Sequence, residues 1–248
     1  MKNKKSRKRV LIVGATSGIG QGLAYRYIQA GYLVAIAGRR EDCLQAIAKT
    51  APKQVVYKVI DIRDVQAEQQ LLELIDALGG LDLYIHVSGF GKQNKDLQLD
   101  IDITTVETNV TGFVRMVDTA YNYMRVHGGG HLAAVSSVAG TRSMGTGASY
   151  SASKAFNNSY LQALSQLSNM QKHHIQITTI KPGFVDTPIL SKDKKYPMIM
   201  PVEYATHIIF KGLKSRKRII VVDWKYRIAI AVMQCIPRWI WEHLTLTN

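Results

Sequence analysis

Seven short apolar runs constrain this chain more than any other feature. They fall at 10–13, 33–37, 55–60, 81–87, 131–136, 176–180 and 219–222, and none holds a proline. Between them lie amphipathic helical patterns at 19–30, 41–50, 66–78, 104–127, 150–172 and 202–214. Strands that are apolar almost throughout are buried on both faces, and strands alternating with helices build a parallel sheet covered on both sides. Gly31, Gly79 with Gly80, and Gly128 to Gly130 follow three of the helical patterns, where a left-handed cap ends a helix. No linker, low-complexity stretch or short repeat interrupts the alternation. The expected fold class is α/β, a doubly wound parallel sheet in a single domain.

With 46% hydrophobic and 20% charged residues the chain is neither disordered nor fibrous. Its formal charge of +14 implies attraction to anions: cofactor phosphates, an anionic membrane surface or nucleic acid. No nucleic-acid motif is present, so nucleic acid is not an expected partner. Two cysteines, Cys43 and Cys235, make no disulfide framework and point to a reducing compartment. The basic start is followed by an apolar run too short for a secretory signal, so the expected location is cytoplasmic. The seven histidines are scattered and no metal site is expected; His173-His174 is read as a solvated helix end.

Three motifs carry chemistry. The first run enters Gly14-Ala15-Thr16-Ser17-Gly18-Ile19-Gly20 and then a helix. Glycines there let backbone approach a phosphate, and a helix N-terminus offers N–H groups and a positive dipole end. The bland alternative is a tight strand–helix turn. The second run ends at Gly38-Arg39-Arg40, with no acid between Leu33 and Arg40 to bind a ribose 2′-hydroxyl. Arginines suit a 2′-phosphate, so NADP(H) is favoured over NAD(H); the alternative is two solvated surface arginines. Tyr150 and Lys154 open a long helical pattern four residues apart, so phenol and ammonium share a face. A neighbouring cation is expected to lower the phenol pKa towards the working pH.

The order of Gly-rich turn, Asp61, Asn109, Ser137, Tyr150-x-x-x-Lys154 and Pro182-Gly183 resembles the short-chain dehydrogenase/reductase family over about residues 9–222. The resemblance implies a Rossmann-type dinucleotide-binding catalytic domain at 10–222. It also implies an NADP(H)-dependent oxidoreductase interconverting a carbonyl and an alcohol. Tyr150 then matches the catalytic acid/base, Lys154 the residue on the nicotinamide ribose, Ser137 (rather than Ser136) the serine orienting the substrate oxygen, and Asn109 the holder of a relay water. Cofactor contacts are implied for Gly14, Thr16, Ser17, Gly18, Ile19 and Gly20, for Arg39 and Arg40, and for Asp61 and Ile62 at the adenine. They are implied also for Ser88 and Gly89, and for Pro182, Gly183, Val185 and Thr187 around the carboxamide. The resemblance further implies a homo-dimer or homo-tetramer assembled through the helices carrying Asn109 and Tyr150. Val13 stands where the family has Thr, and His86-Val87-Ser88-Gly89 where it has Asn-Asn-Ala-Gly. The alternative within the same fold is a non-catalytic NADP(H)-binding regulatory protein.

Outside that domain lie a basic segment at 1–9 and an apolar helical extension at 223–248 that holds all three tryptophans. Met198 and Met200 after Thr187 suggest a lipophilic substrate, or a loop clipped onto the core. Lys192, Lys194 and Lys195 suit an anionic headgroup or carrier, or form a solvated face. The apolar run 228–233 is too short to span a bilayer. Tryptophan, tyrosine and arginine around it suit a membrane surface, with the basic N-terminus assisting; the alternatives are a cover over the chain's own pocket or a subunit contact.

Overall fold

The computed structural model describes residues 7–190 and 196–244. Among them, seven strands form one sheet: β1 (Arg9–Val13), β2 (Leu33–Gly38), β3 (Val55–Val59), β4 (Leu83–His86), β5 (Gly130–Val135), β6 (Ile175–Lys181) and β7 (Ile219–Val221). Every pairing is parallel, in the order β3-β2-β1-β4-β5-β6-β7. Strand order reverses between β1 and β4, so a crevice opens at the carboxyl ends there, the place where such sheets bind ligands.

The pleat sorts β1 to two cores. Val10 and Ile12 face one layer with α1 (Gly18–Gln29), α2 (Glu41–Thr50) and α7 (Val202–Lys214). Leu11 and Val13 face the other, with α3 (Ala67–Leu78), α5 (Phe113–Val126) and α6 (Ala148–Met170). All four side chains are fully buried, which explains why this strand shows no polar alternation.

The helix expected at 104–127 differs. It starts earlier, as α4 (Leu99–Val106), and widens into a π-turn at Glu107–Gly112 before α5. Single π-turns of this kind concentrate at functional sites. Here the Asn109 carbonyl accepts from Asn157 Nδ2 at 2.9 Å, across to α6. His173 is likewise no bare helix end, since its Nδ1 lies 2.9 Å from the Tyr121 hydroxyl. Both cysteines are free.

After β7 the chain turns at Asp223 (φ 76°), whose carboxylate accepts from Lys225 N and caps α8 (Trp224–Cys235); α9 (Arg238–His243) follows. The expected helical extension is therefore present. It leaves the carboxyl edge of the sheet, whereas Arg9, assigned to the basic N-terminal segment, opens β1 at the amino edge and pairs with Asp82 at 2.8 Å. Because all strands are parallel, Arg9 and the start of α8 lie at opposite ends of the sheet. Residues 1–6 and the loop lysines 192, 194 and 195 lie outside the described residues.

Candidate active site

The Gly-rich turn is built by close approach. Gly14 has φ +89°, and a Cβ on it would lie 2.5 Å from the backbone nitrogen of Ser88. No other residue fits both the conformation and the contact. Ala37 carbonyl accepts from Gly14 N (2.8 Å) and Ala15 N (3.0 Å), tying the turn to β2. Ser17 precedes α1 without a side-chain cap, and the first turn holds no acid. That helix end therefore keeps its positive character, and Gly18, Ile19 and Gly20 form it. Arg40 reaches back over the turn, its Nη2 and Nε donating to Thr16 Oγ1 at 2.9 and 3.3 Å. Arg39 is exposed beside it. Asp61 accepts from Arg63 at 2.7 Å; that hydrogen bond holds its carboxyl below the usual range, and Ile62 is buried next to it.

The second half of the site is carried by α6. Tyr150, Ser153, Lys154 and Asn157 recur at i, i+3, i+4 and i+7, one helix face. Lys154 Nζ lies 5.8 Å from the Tyr150 ring centroid and donates to Val135 carbonyl at 3.2 Å. The turn after β4 runs beneath them. A Cβ on Gly89 would lie 3.4 Å from both Asn109 Oδ1 and Lys154 Nζ, and one on Gly91 would lie 2.9 Å from the Tyr150 ring. Ser137 caps a short 3₁₀ turn (Val138–Gly140), accepting from Ala139 N at 3.1 Å, and hydrogen-bonds to the Tyr150 phenol. Ser136 instead donates to the Lys154 carbonyl at 3.0 Å, away from the phenol.

The Tyr150 phenol shifts in the direction opposite to the one expected, and burial rather than Lys154 sets it. Burial pushes the Tyr150 phenol above its ordinary value, partly offset by the Ser137 hydroxyl. Burial also brings the Lys154 ammonium down to about 8. Desolvation disfavours the charged form of both groups, and the ammonium points to a carbonyl rather than the phenol oxygen. Nearby, His86 is wholly buried, with Nδ1 3.0 Å from the Tyr84 hydroxyl and Nε2 unpartnered. Burial and the Lys154 charge bring its pKa to about 3.

Asn109 is fully engaged within the chain. Its Oδ1 accepts from Phe90 N (2.8 Å), and its Nδ2 donates to Phe90 carbonyl (2.7 Å) and Ser153 Oγ (3.0 Å). Ser153 and Asn157 thus belong to the site although the sequence reading passed over them. The i+3/i+7 polar face of α6 was the signal. The segment after β6 closes the cleft: Val138 N donates to Pro182 carbonyl (3.0 Å), Thr187 Oγ1 to Val185 carbonyl (3.2 Å), and Thr187 Cγ2 would lie 2.8 Å from a Cβ on Gly18. Met200 bridges to Val185 and is buried, so it clips the loop to the core, whereas Met198 and Ile189 are exposed.

Tyr226 of α8 lies on this segment, also unforeseen. A Cβ on Gly183 would fall inside its ring, Phe184 N donates to its hydroxyl (3.0 Å), and that hydroxyl reaches the carbonyls of Pro197 and Met198 (3.1 Å each). Across the cleft, Arg142 donates to Ile236 carbonyl and Trp241 Nε1 to Ser143 carbonyl (2.8 Å). The tail therefore bridges the two loops that flank Tyr150. Among the described residues no cluster of three or more His, Cys, Asp or Glu could hold a metal.

Residues 8–197 match the family described as short chain dehydrogenase. The chain belongs to the short-chain dehydrogenase family. It is 30% identical to an oxidoreductase of Myxococcus xanthus over 239 residues, 94% of each chain, and 32% identical to one of Staphylococcus aureus over 188 residues, 73% of this chain and 80% of that one. In fold, this short-chain dehydrogenase is similar to one from Burkholderia cenocepacia in complex with NADP (TM-score 0.82, 20% identity, 97% and 98% covered). It is equally similar to one from Streptomyces avermitilis (0.82, 19%, 93% of each). The chain is an oxidoreductase of a family that uses a nicotinamide cofactor and small-molecule substrates.

Proposed function

We propose that this short-chain dehydrogenase is an NADP(H)-dependent carbonyl reductase acting on a lipophilic or carrier-linked substrate, with Tyr150 giving and taking the proton. The observation that carries the reading is the grouping of the Tyr150 phenol, hydrogen-bonded to Ser137, with the buried Lys154 5.8 Å from its ring, along the turn whose Ser88 packs on Gly14. The residues present fit the cofactor: an acid-free helix N-terminus after Gly14 and Thr16–Gly20, and Arg39 and Arg40 where a 2′-phosphate would need cations. Asp61 and Ile62 would flank the adenine, Ser88 and Gly89 the ribose, and Pro182, Gly183, Val185 and Thr187 the carboxamide. When bound, the nicotinamide supplies or accepts the hydride.

The chain's own residues manage charge and proton. A carbonyl oxygen gaining negative charge needs donors already in place, and the Ser137 hydroxyl and Tyr150 phenol supply two. The Tyr150 Oη proton passes to that oxygen, and the Lys154 ammonium offsets the phenolate that remains. Asn109 holds the turn at Phe90 against α6, fixing the floor on which these groups meet. The solvent-facing stripe Leu99, Ile103 and Val106 on α4 supports assembly of copies through the helices that carry Asn109 and Tyr150.

Fluorescence titration with NADPH and, separately, NADH, followed by NADPH consumption with lipophilic ketones, tests the reading. Tight NADPH and weak NADH binding with ketone turnover is expected. A preference for NADH would overturn the role of Arg39 and Arg40. NADPH binding without any turnover would favour a regulatory protein of this fold.

A further inference from the structure

We infer that the tail helices α8 and α9 form a docking surface for an anionic lipid bilayer, lying along the membrane plane at the mouth of the cleft. On α8, Trp224, Ile228, Ala231, Val232 and Cys235 are all exposed, Trp224 by 62%, Ile228 by 55% and Val232 by 56%. At 100° per residue these five fall within one stripe. Lys225 and Arg227, both exposed, fall on either side of it, and Tyr226 on the opposite face is buried against the body of the protein. The second helix extends the apolar surface: Ile236, Pro237, Ile240 and Leu244 join Ala231 and Val232 around an open, almost wholly apolar groove of about 570 Å³. Trp239 stands 69% exposed beside Arg238.

An apolar stripe facing solvent and edged by cations on both sides is the pattern of a helix lying in a headgroup layer. The apolar side chains enter the acyl boundary there, and lysine and arginine stems reach up to phosphates. Tryptophans at the start of α8 and on α9 suit the same interface. No described helix is long and apolar enough to cross a membrane, so the tail lies on the surface. A second copy fits less well: α8 carries Lys225 and Arg227 but no Asp or Glu, so pairing this helix with its own twin would bring cations to a surface with no carboxylate to meet them. An anionic surface complements them, in keeping with the +14 charge of the chain. The same tail touches both loops beside Tyr150, through Tyr226 on one side and Trp241 on the other. Docking would therefore set the cleft against the lipid phase. The inference stands on the tail alone and holds whatever the cofactor preference.

The test is vesicle co-sedimentation of the full chain with vesicles of phosphatidylcholine and phosphatidylglycerol (3:1), alongside phosphatidylcholine alone, with tryptophan fluorescence read in parallel. All three tryptophans, Trp224, Trp239 and Trp241, lie in the tail, so the emission reports this surface. Pelleting with the anionic vesicles and a blue shift are expected. Val232→Glu and Trp239→Glu should each lower the bound fraction about tenfold with an unchanged unfolding temperature, and Val232→Leu should retain binding. Lys225→Ala with Arg227→Ala should weaken binding to anionic vesicles only. Wild-type protein left in the supernatant, or glutamate variants that pellet as wild type does, would overturn the inference. So would a Val232→Glu variant whose only effect is a smaller oligomer on size exclusion, which would give the groove to a second copy.

Discussion

The two halves of the cleft solve opposite problems. The β1–α1–β2 half offers bare backbone, an uncapped helix end and two arginines standing in water. The β4–β5–α6 half buries its polar groups: Asn109 is 1% exposed, Lys154 5%, Ser137 7% and His86 not at all. A charged ligand that must come and go needs an open, electropositive cradle. Proton transfer needs side chains held still and stripped of water, where each hydrogen bond counts for more and each unpaired group costs more. Substitutions should therefore have large effects in the second half and small, salt-sensitive ones in the first.

The largest effect is expected at Tyr150. Tyr150→Phe keeps the ring over Gly91 and removes only the hydroxyl, so kcat/KM should fall about 10²- to 10⁴-fold with NADPH affinity unchanged. Steady-state kinetics and a cofactor titration on the same sample check it; unchanged ketone turnover would remove Tyr150 from the chemistry. Asn109→Ala should act on the fold as well. It strips partners from Phe90 N, Phe90 carbonyl and Ser153 Oγ, at a cost of about 2–3 kcal/mol, and calorimetry should show a drop of roughly 5–10 °C in Tm. An unchanged Tm with lost turnover would mean that Asn109 serves the reaction rather than the floor beneath it.

The buried half also sets an acid limit. His86 and His131 have pKa values depressed to about 3 and about 4, in each case first by burial and then by a nearby cation, Lys154 or Arg216. Unfolded histidines take up protons near pH 6.5 while these two resist. Their contribution to stability is therefore complete above about pH 6.5 and is lost as pH falls towards their folded values. The slope is ~1.4 kcal/mol per pH unit per histidine. Denaturant unfolding between pH 7 and 4 should show this decline, and His86→Asn should flatten it by about one proton. A decline that begins only below pH 4 would assign acid sensitivity to carboxylates such as Asp61 and Asp82, whose values are held down by Arg63 and Arg9.

The same contrast explains what the sequence made legible. The inner strands are buried on both faces and mostly apolar, and the partly exposed edge strands β3 and β7 keep apolar runs, so all seven were found with ends shifted by one or two residues, and α2 and α7 at their observed bounds. The Gly-rich turn and the Tyr150–Lys154 pair are local, and local spacing carries them. The π-turn at Glu107–Gly112 is not local in that sense: it is secured by Asn157 and Phe90, far along the chain, and nothing in residues 104–112 announces it. Tyr226 was equally hidden, because its partner is a missing side chain at Gly183. The sign of the Tyr150 shift was misjudged for a related reason. Spacing reports that a cation is near but not how much water has been excluded around it.

The smallest expected effect lies in the open half, at Arg40. Its guanidinium is exposed, and its described side-chain hydrogen bonds go to Thr16 Oγ1, so removing it leaves no buried group stranded. An exposed cation facing a phosphate gains about 1 kcal/mol, more when the contact is bidentate, and loses much of that in salt. Arg40→Ala should therefore weaken NADPH binding only about three- to tenfold, leave NADH binding and kcat unchanged, and lose most of its effect between 50 and 500 mM salt. The NADH measurement separates two roles for the residue. If NADH binding falls in step, Arg40 acts by holding Thr16 and the shape of the turn, and selectivity rests with Arg39. If NADPH alone falls, the arginine meets the 2′-phosphate, and the open half discriminates by charge standing in solvent while the buried half does the chemistry.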